Sequence, residues 1–457
     1  MNDRHDVDTR RDTTDRRDPH DRVPAPARRP DVLVVLTDQQ TADAMGAAGN
    51  PHLATPHMDA LAAAGTRYRQ AYCAQPLCAP SRASLLTGQL PSALGVTGNE
   101  ALAEDGAAPE PLLGRVFAEA GYDCAYGGKW HLPELDLPPD RGFRRIHPAG
   151  DDAGLARAAA TYLHRPRPRP FLLVVSFLEP HGICEWARGQ DPRTGPLPAP
   201  PPVAQCPPLP ANFPPAPYEA HLPRLAQRAW AHTHPTGGWH EDDWRRYRQA
   251  YYALVERVDA NLGTVLAGLR EHERWSGRET VVVFTSDHGD GAGAHGWNQK
   301  WALFEESVRV PFLVSGPGST PGGVSDRLVS TGPDLLPTLC DLAGIPVPPG
   351  LPGRSVRAPE PREELVVETR WELPGFNNAL GRMIRDARYK YVCYAWGDRR
   401  EQLFDLTGDP GEMVNLAVDA RHGALLDRFR GLLAAHCAGS GDPFARFVPA
   451  PAGPAQA

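Results

Sequence analysis

Six short apolar runs, most of them followed at once by polar or charged residues, set the tightest limit on how this chain folds. Residues 32–36 (VLVVL) lead into Thr37-Asp38-Gln39-Gln40, and residues 122–126 into Gly127-Gly128-Lys129-Trp130-His131. Residues 171–177 end near Glu179-Pro180-His181, residues 281–285 end at Ser286-Asp287-His288-Gly289, and runs at 311–314 and 365–367 complete the set. Continuous apolar runs, in place of alternation, mark strands covered on both faces, hence a mostly parallel sheet. Helical patterns lie between them. The clearest spans 242–272, where Tyr247, Tyr251, Leu254, Val258, Leu262, Val265 and Leu269 recur at three- and four-residue steps; 334–342 and 425–435 are shorter ones. This alternation predicts an α/β fold, a large mostly parallel sheet flanked by helices. Ligands of such sheets bind beyond the carboxyl ends of the strands. Asp38, Lys129, His181, Asp287 and His288 are therefore expected to converge at one edge.

A chain of 457 residues allows two to three domains, or one large α/β domain with an appendage. After about residue 360 short strand-like pieces (382–385, 389–394, 402–405) and a final helix predict a small C-terminal α+β subdomain. The expected division is a tail at 1–29, a main domain at 30–360, the subdomain at 361–445 and a frayed Ala/Pro-rich end at 446–457. Residues 1–29 alternate Asp and Arg without an apolar stretch, which predicts disorder and neither a secretory signal nor an anchor; the expected location is cytoplasmic. No run is long enough to span a membrane. A net charge of −7 argues against nucleic acid as the partner. Eight cysteines scattered over so long a chain are not a disulfide framework. The proline-rich residues 189–217 read as an extended surface insertion.

Residues 78–88 read Cys-Ala-Pro-Ser-Arg-Ala-Ser-Leu-Leu-Thr-Gly. Pro80 suits the first turn of a helix and Gly88 its end. Cys78 is then placed just before that helix, where free backbone N–H groups and the macrodipole favour an anion. Arg82 lies one turn further on the same face, able to reach back. A cysteine at such a place is by itself ordinarily a packing residue or an incidental low-pKa thiol. The run as a whole, however, resembles the signature of the type I sulfatases of the alkaline-phosphatase-like superfamily. So do Gly128-Lys129-Trp130-His131, the helix RRYRQAYYALVERVDANLG, the segment VRVPFLVSGPG and LFDLTGDPGEMVNLA. The resemblance covers roughly residues 30 to 420 in consistent order.

That resemblance implies a chemistry. Cys78 is expected to be oxidised by a formylglycine-generating enzyme to formylglycine, whose hydrate attacks the sulfate ester and whose second hydroxyl later expels sulfate. One divalent metal ion is expected on Asp38, Gln39, Asp287, His288 and residue 78. Many members carry Asp-Asp where this chain has Asp38-Gln39, and Asn where it has His288. Ca2+ is the expected ion, and Mn2+ competes because imidazole is a softer ligand than carboxylate. Lys129 and Lys300 are expected to hold the sulfate, His181 to protonate the leaving group, and His131 to contact the formylglycine hydroxyl; Arg82 completes the set. His295 stands between a helper and a packing role, and Trp130, Trp297 and Trp301 read as walls. The implied reaction is hydrolysis of a sulfate ester or sulfamate of a small molecule or saccharide. Two alternatives stay open: a phosphonate monoester or phosphodiester hydrolase on the same scaffold, and a non-catalytic binding protein retaining the fold. The sequence leaves the oligomeric state open.

Overall fold

The computed structural model describes residues 29–99, 111–132, 137, 141–373 and 379–451. The predicted tail, apart from Arg29, and residues 452–457 lie outside them. Eight strands form the main sheet: β1 (Asp31–Asp38), β2 (Gly65–Tyr72), β3 (Asp123–Gly128), β4 (Arg144–His147), β5 (Phe171–Pro180), β6 (Thr280–Ser286), β7 (Phe312–Ser315) and β8 (Gly323–Ser330). Their order is β4-β3-β5-β1-β6-β7-β2-β8, and β7 alone runs against the rest. The run at 311–314 is thus a strand, as expected, but the antiparallel one.

β1, β5 and β6 are buried along their whole length, which is why they read as unbroken apolar runs. Successive side chains point to opposite faces. Leu33, Val35, Leu173 and Val175 join one core with the helix Glu241–Ser276, while Val32, Val34, Leu172 and Val174 join a second with the helix Thr331–Ala343. All seven apolar positions that predicted the long helix are buried. It begins with a capping box between His240 and Asp243 and ends at Gly277, whose φ of 64° is the left-handed conformation a C-terminal glycine supplies.

Four antiparallel strands follow: β9 (Leu365–Arg370), β10 (Leu380–Arg385), β11 (Tyr389–Tyr394) and β12 (Glu401–Asp405), ordered β12-β11-β10-β9. The run at 365–367 therefore belongs to this small sheet and not to the main one, a correction to the sequence reading. The helix Gly423–Ser440 covers one face through Leu426, Phe429, Leu433 and Cys437. The other face, with Val367, Met383 and Val392, packs against Tyr72, Val308 and Val310 beside the main sheet. The proline-rich segment is less superficial than expected, because Leu197, Leu209 and Phe213 pack onto the main core.

One position joins fold to site. Gly128, with φ 91°, ends β3, and a Cβ there would lie 1.9 Å from the Ser176 carbonyl oxygen. Gly128→Ala should cost on the order of 3 kcal/mol, backbone strain plus a clash with β5. Gly121→Ala, at the same φ but in open space, should cost only the strain, roughly 1 kcal/mol. Urea denaturation of the two variants checks this; equal losses would refute it.

Candidate active site

The carboxyl ends of β1, β3, β5 and β6 present Asp38, Lys129, His181 and Asp287 on one edge of the sheet. Opposite them the helix Cys78–Thr87 is buried at every one of its positions and ends at Gly88 with φ 74°. Cys78 is the first residue of that helix, not the one before it, and the Asn99 side chain accepts from the Ala79 N–H 3.1 Å away. A Cβ on Gly332 would meet Ser84 Oγ at 2.1 Å, so glycine there lets the helix Thr331–Ala343 approach closely.

Arg82 holds the centre together. Its Nη2 donates to Asp38 Oδ2 and its Nε to Asp287 Oδ2, both at 2.8 Å, and Nη1 donates to the Lys129 carbonyl and Ser176 Oγ. All three charged groups are fully buried. The guanidinium thus reaches to the two carboxylates, rather than back to residue 78. Lys129 Nζ adds a second cation to Asp38 Oδ2 at 2.5 Å. Burial and the Cys78 sulfur would push the Asp38 carboxyl up, yet Lys129, His181 and Arg82 hold it well below the usual range. Asp287 moves the other way, raised by burial and by Asp38.

Cys78 Sγ lies 3.1 Å from Lys300 Nζ, 3.4 Å from His288 Nε2 and 3.8 Å from Asp38 Oδ1. Burial would raise its thiol, but Lys129, Lys300, His288 and a hydrogen bond with His131 bring it well below the ordinary value. Asp38, Cys78, Asp287 and His288 each place one ligand atom within 4.8 Å of the others, all buried. Two hard carboxylate oxygens with an imidazole suit one divalent ion. Gln39 Nε2 donates to Asp290, and its Oε1 accepts from Lys300 Nζ at 3.0 Å. His181 is partly exposed at the rim, with Nδ1 3.8 Å from Glu185 Oε2. Burial opposes its charge, but Cys184 and Asp38 push it up to about 10.

Several contributors escaped the sequence reading. Asp290 accepts from Gln39 Nε2, Tyr247 OH and the Gln299 N–H, and so anchors two loops. Tyr251 OH donates to the Gln39 carbonyl, and Cys184 Sγ donates to Gln299 Oε1 at 2.9 Å. Adjacency of Asp290 to the Asp287-His288 pair was the one available signal. Gln39, His131, Gln299 and Trp301 all hold φ between 58° and 77°, conformations that cluster where a site is over-determined. Of the expected walls, Trp130 and Trp297 are core side chains; Trp301 lies with its ring 5.8 Å from Lys300 Nζ. His295 stacks on Phe304 and makes no contact with Cys78 among those described.

Known proteins resemble this chain over most of its length. The sulfatase family matches residues 30–345, and the C-terminal family described as N-sulphoglucosamine sulphohydrolase, C-terminal, matches 293–437. A Delta 4,5-hexuronate-2-O-sulfatase of Bacteroides thetaiotaomicron is 33% identical over 89% of this chain and 88% of its own. A solved 2-O GAG sulfatase has a TM-score of 0.81 at 30% identity, covering 92% of this chain and 95% of that one. A phosphonate monoester hydrolase of Agrobacterium radiobacter shares the fold, with a TM-score of 0.74 at 22% identity over 90% and 96% of the two chains.

The central ion pairs give a direct test. Arg82→Met leaves buried Asp287 without its arginine and Asp38 with Lys129 alone, and should destabilise the chelated protein by roughly 3–5 kcal/mol. Added Ca2+ or Mn2+ should recover part of that loss. Urea titrations with and without metal measure it, and a loss below about 1 kcal/mol would show that Arg82 is not the compensating charge.

Proposed function

The chain belongs to the sulfatase family, and from that premise we propose that it cleaves a sulfated saccharide using a formylglycine made from Cys78 and one bound divalent ion. Hydrolysis of sulfuric esters is the activity of the family. The observation that carries the finer reading is the convergence on Cys78 of Lys300, His288 and Asp38 at a buried helix N-terminus. A packing thiol has no use for an ammonium, an imidazole and a carboxylate gathered round it; a group that attacks and then carries an anionic ester does.

Asp38, Asp287 and His288 would hold the ion together with residue 78, and bound there it would supply Lewis acidity to an oxygen of that residue. The donor set fits Ca2+ and Mn2+ alike. An aldehyde hydrate at position 78 would supply two oxygens on one carbon, so a sulfated residue has its own means of release. The remaining roles belong to side chains of this chain. Arg82 fixes the two carboxylates in place. Lys129 and Lys300 flank residue 78 and stabilise the charge that builds on the transferring sulfuryl oxygens. His181, charged and at the rim, donates its proton to the departing oxygen. His131, just past β3 beside Lys129, holds or moves the proton at residue 78. Gln39 orients Lys300 through its amide oxygen.

A saccharide substrate is supported by the relative named for a hexuronate 2-O-sulfate and by the solved 2-O GAG sulfatase. A formylglycine-generating enzyme is the partner the mechanism requires. Among the described residues no helix is long and apolar enough to cross a membrane.

Mass spectrometry of the tryptic peptide spanning 70–82 should show the aldehyde at Cys78 in protein from a host that makes formylglycine, and Cys78→Ala should abolish turnover without unfolding. Fully active protein carrying an unmodified thiol would end this reading. His181→Ala should lower turnover of an alkyl sulfate by about 10²–10⁴-fold while sparing an aryl sulfate, whose leaving group needs no proton. Equal losses on both would remove His181 as the acid. Preferred turnover of a phosphodiester over any sulfate ester would transfer the site to phosphonate or phosphodiester chemistry.

A further inference from the structure

A second buried cluster lies away from Cys78, where the loop after β6 meets the C-terminal part of the chain. We propose that His295, Glu306 and Glu412 form a second cation site, for a first-row divalent transition ion such as Zn2+, that ties the C-terminal sheet to the main domain. One ligand atom from each of the three lies within 4.8 Å of the others. His295 is fully buried, yet neither ring nitrogen has a hydrogen-bond partner, and Glu306 Oε2 is likewise buried and unpartnered. An imidazole with two orphaned nitrogens facing two carboxylates is costly unless something sits between them. No hydrogen bond joins the three side chains among the described residues, and small shifts of the carboxylates would bring all three to about 2.1 Å from one ion.

Charge points the same way. Glu305 is neutralised by Lys390 at 3.0 Å, Arg309 at 3.6 Å and Arg385 at 4.0 Å. Glu412 Oε1 shares the same Lys390 at 2.7 Å, and its Oε2 accepts the Glu305 N–H. Among the described residues Glu306 has the Asn212 amide and no ion pair, so one half-buried carboxylate there has no cation of its own. Asn212 also supports the ligands, its side-chain amide holding Glu306 Oε1 and its backbone carbonyl accepting the His295 backbone N–H at 2.6 Å. With no residue 78 or substrate to add oxygens toward the roughly six to eight that Ca2+ takes, one imidazole and two carboxylates here suit Zn2+ better than Ca2+.

The test is zinc content of the full chain after equilibration with Zn2+ and excess Ca2+, followed by desalting and elemental analysis. Zinc retained in the wild type and in Asp287→Asn, but lost in His295→Ala and in the isosteric Glu306→Gln, supports the site. An X-ray absorption spectrum of the wild type showing a nitrogen–oxygen shell with one imidazole supports it without any variant having to fold. Wild-type protein that retains no zinc, zinc that survives both Glu306→Gln and His295→Ala, or zinc that disappears with Asp287→Asn overturns it, leaving water or a shared proton as the occupant.

Discussion

Two carboxylates at the ends of neighbouring strands, both out of reach of water, are held together by the one guanidinium that bonds both, with Lys129 adding a second cation at Asp38. Arg82 bonds Asp38 at the end of β1 and Asp287 just beyond β6, and from the same fork it reaches the Lys129 carbonyl after β3 and Ser176 in β5. Four parallel strands are thereby referenced to one side chain on the helix that carries Cys78. Remove that reference and the anionic edge of the sheet repels itself. With it, the two acids can be kept close enough to share an ion, and residue 78 is held against them by a helix with no exposed face.

What the sequence displayed depended on how each segment is covered. β1, β5 and β6 are sealed on both faces and announced themselves as apolar runs; the long helix did so through its periodic stripe. β2, β4 and β8 did not, because they lie at or near the sheet's margins with exposed positions interrupting the apolar pattern. The site followed a similar rule. Strand-terminal Asp38, Lys129, His181 and Asp287 were legible because topology alone sends them to one edge. The partners of Arg82 were not, since nothing in a local spacing says that a residue one turn along a helix will bond two acids from the facing sheet. Asp290, Tyr251 and Cys184 were hidden for another reason: they act on Gln39 and Gln299, loop residues held at positive φ, and no periodicity encodes such contacts.

The small sheet is more than an appendage. Its first strand, β9, donates the Glu368 N–H to the Ala74 carbonyl, accepts from Ser92 at Glu368 Oε1, and ties Thr369 Oγ1 to the Trp301 carbonyl. These contacts brace the loops on either side of Cys78 and Lys300. Glu412 and Lys390 close a second connection through Glu305. Distances around Cys78 are thus set jointly by both sheets, and a disturbance in the C-terminal part of the chain has a physical route to the Lys300–Cys78 contact.

The enclosure of the helix Cys78–Thr87 also imposes a schedule. Cys78 is only 1% exposed, and all ten residues of its helix are buried. Another macromolecule cannot grasp this stretch in an extended form once the sheet and the helix Thr331–Ala343 have closed on it. Any enzyme that rewrites the side chain at position 78 therefore competes with folding itself, and a chain that folds first is locked into the chemistry it was translated with.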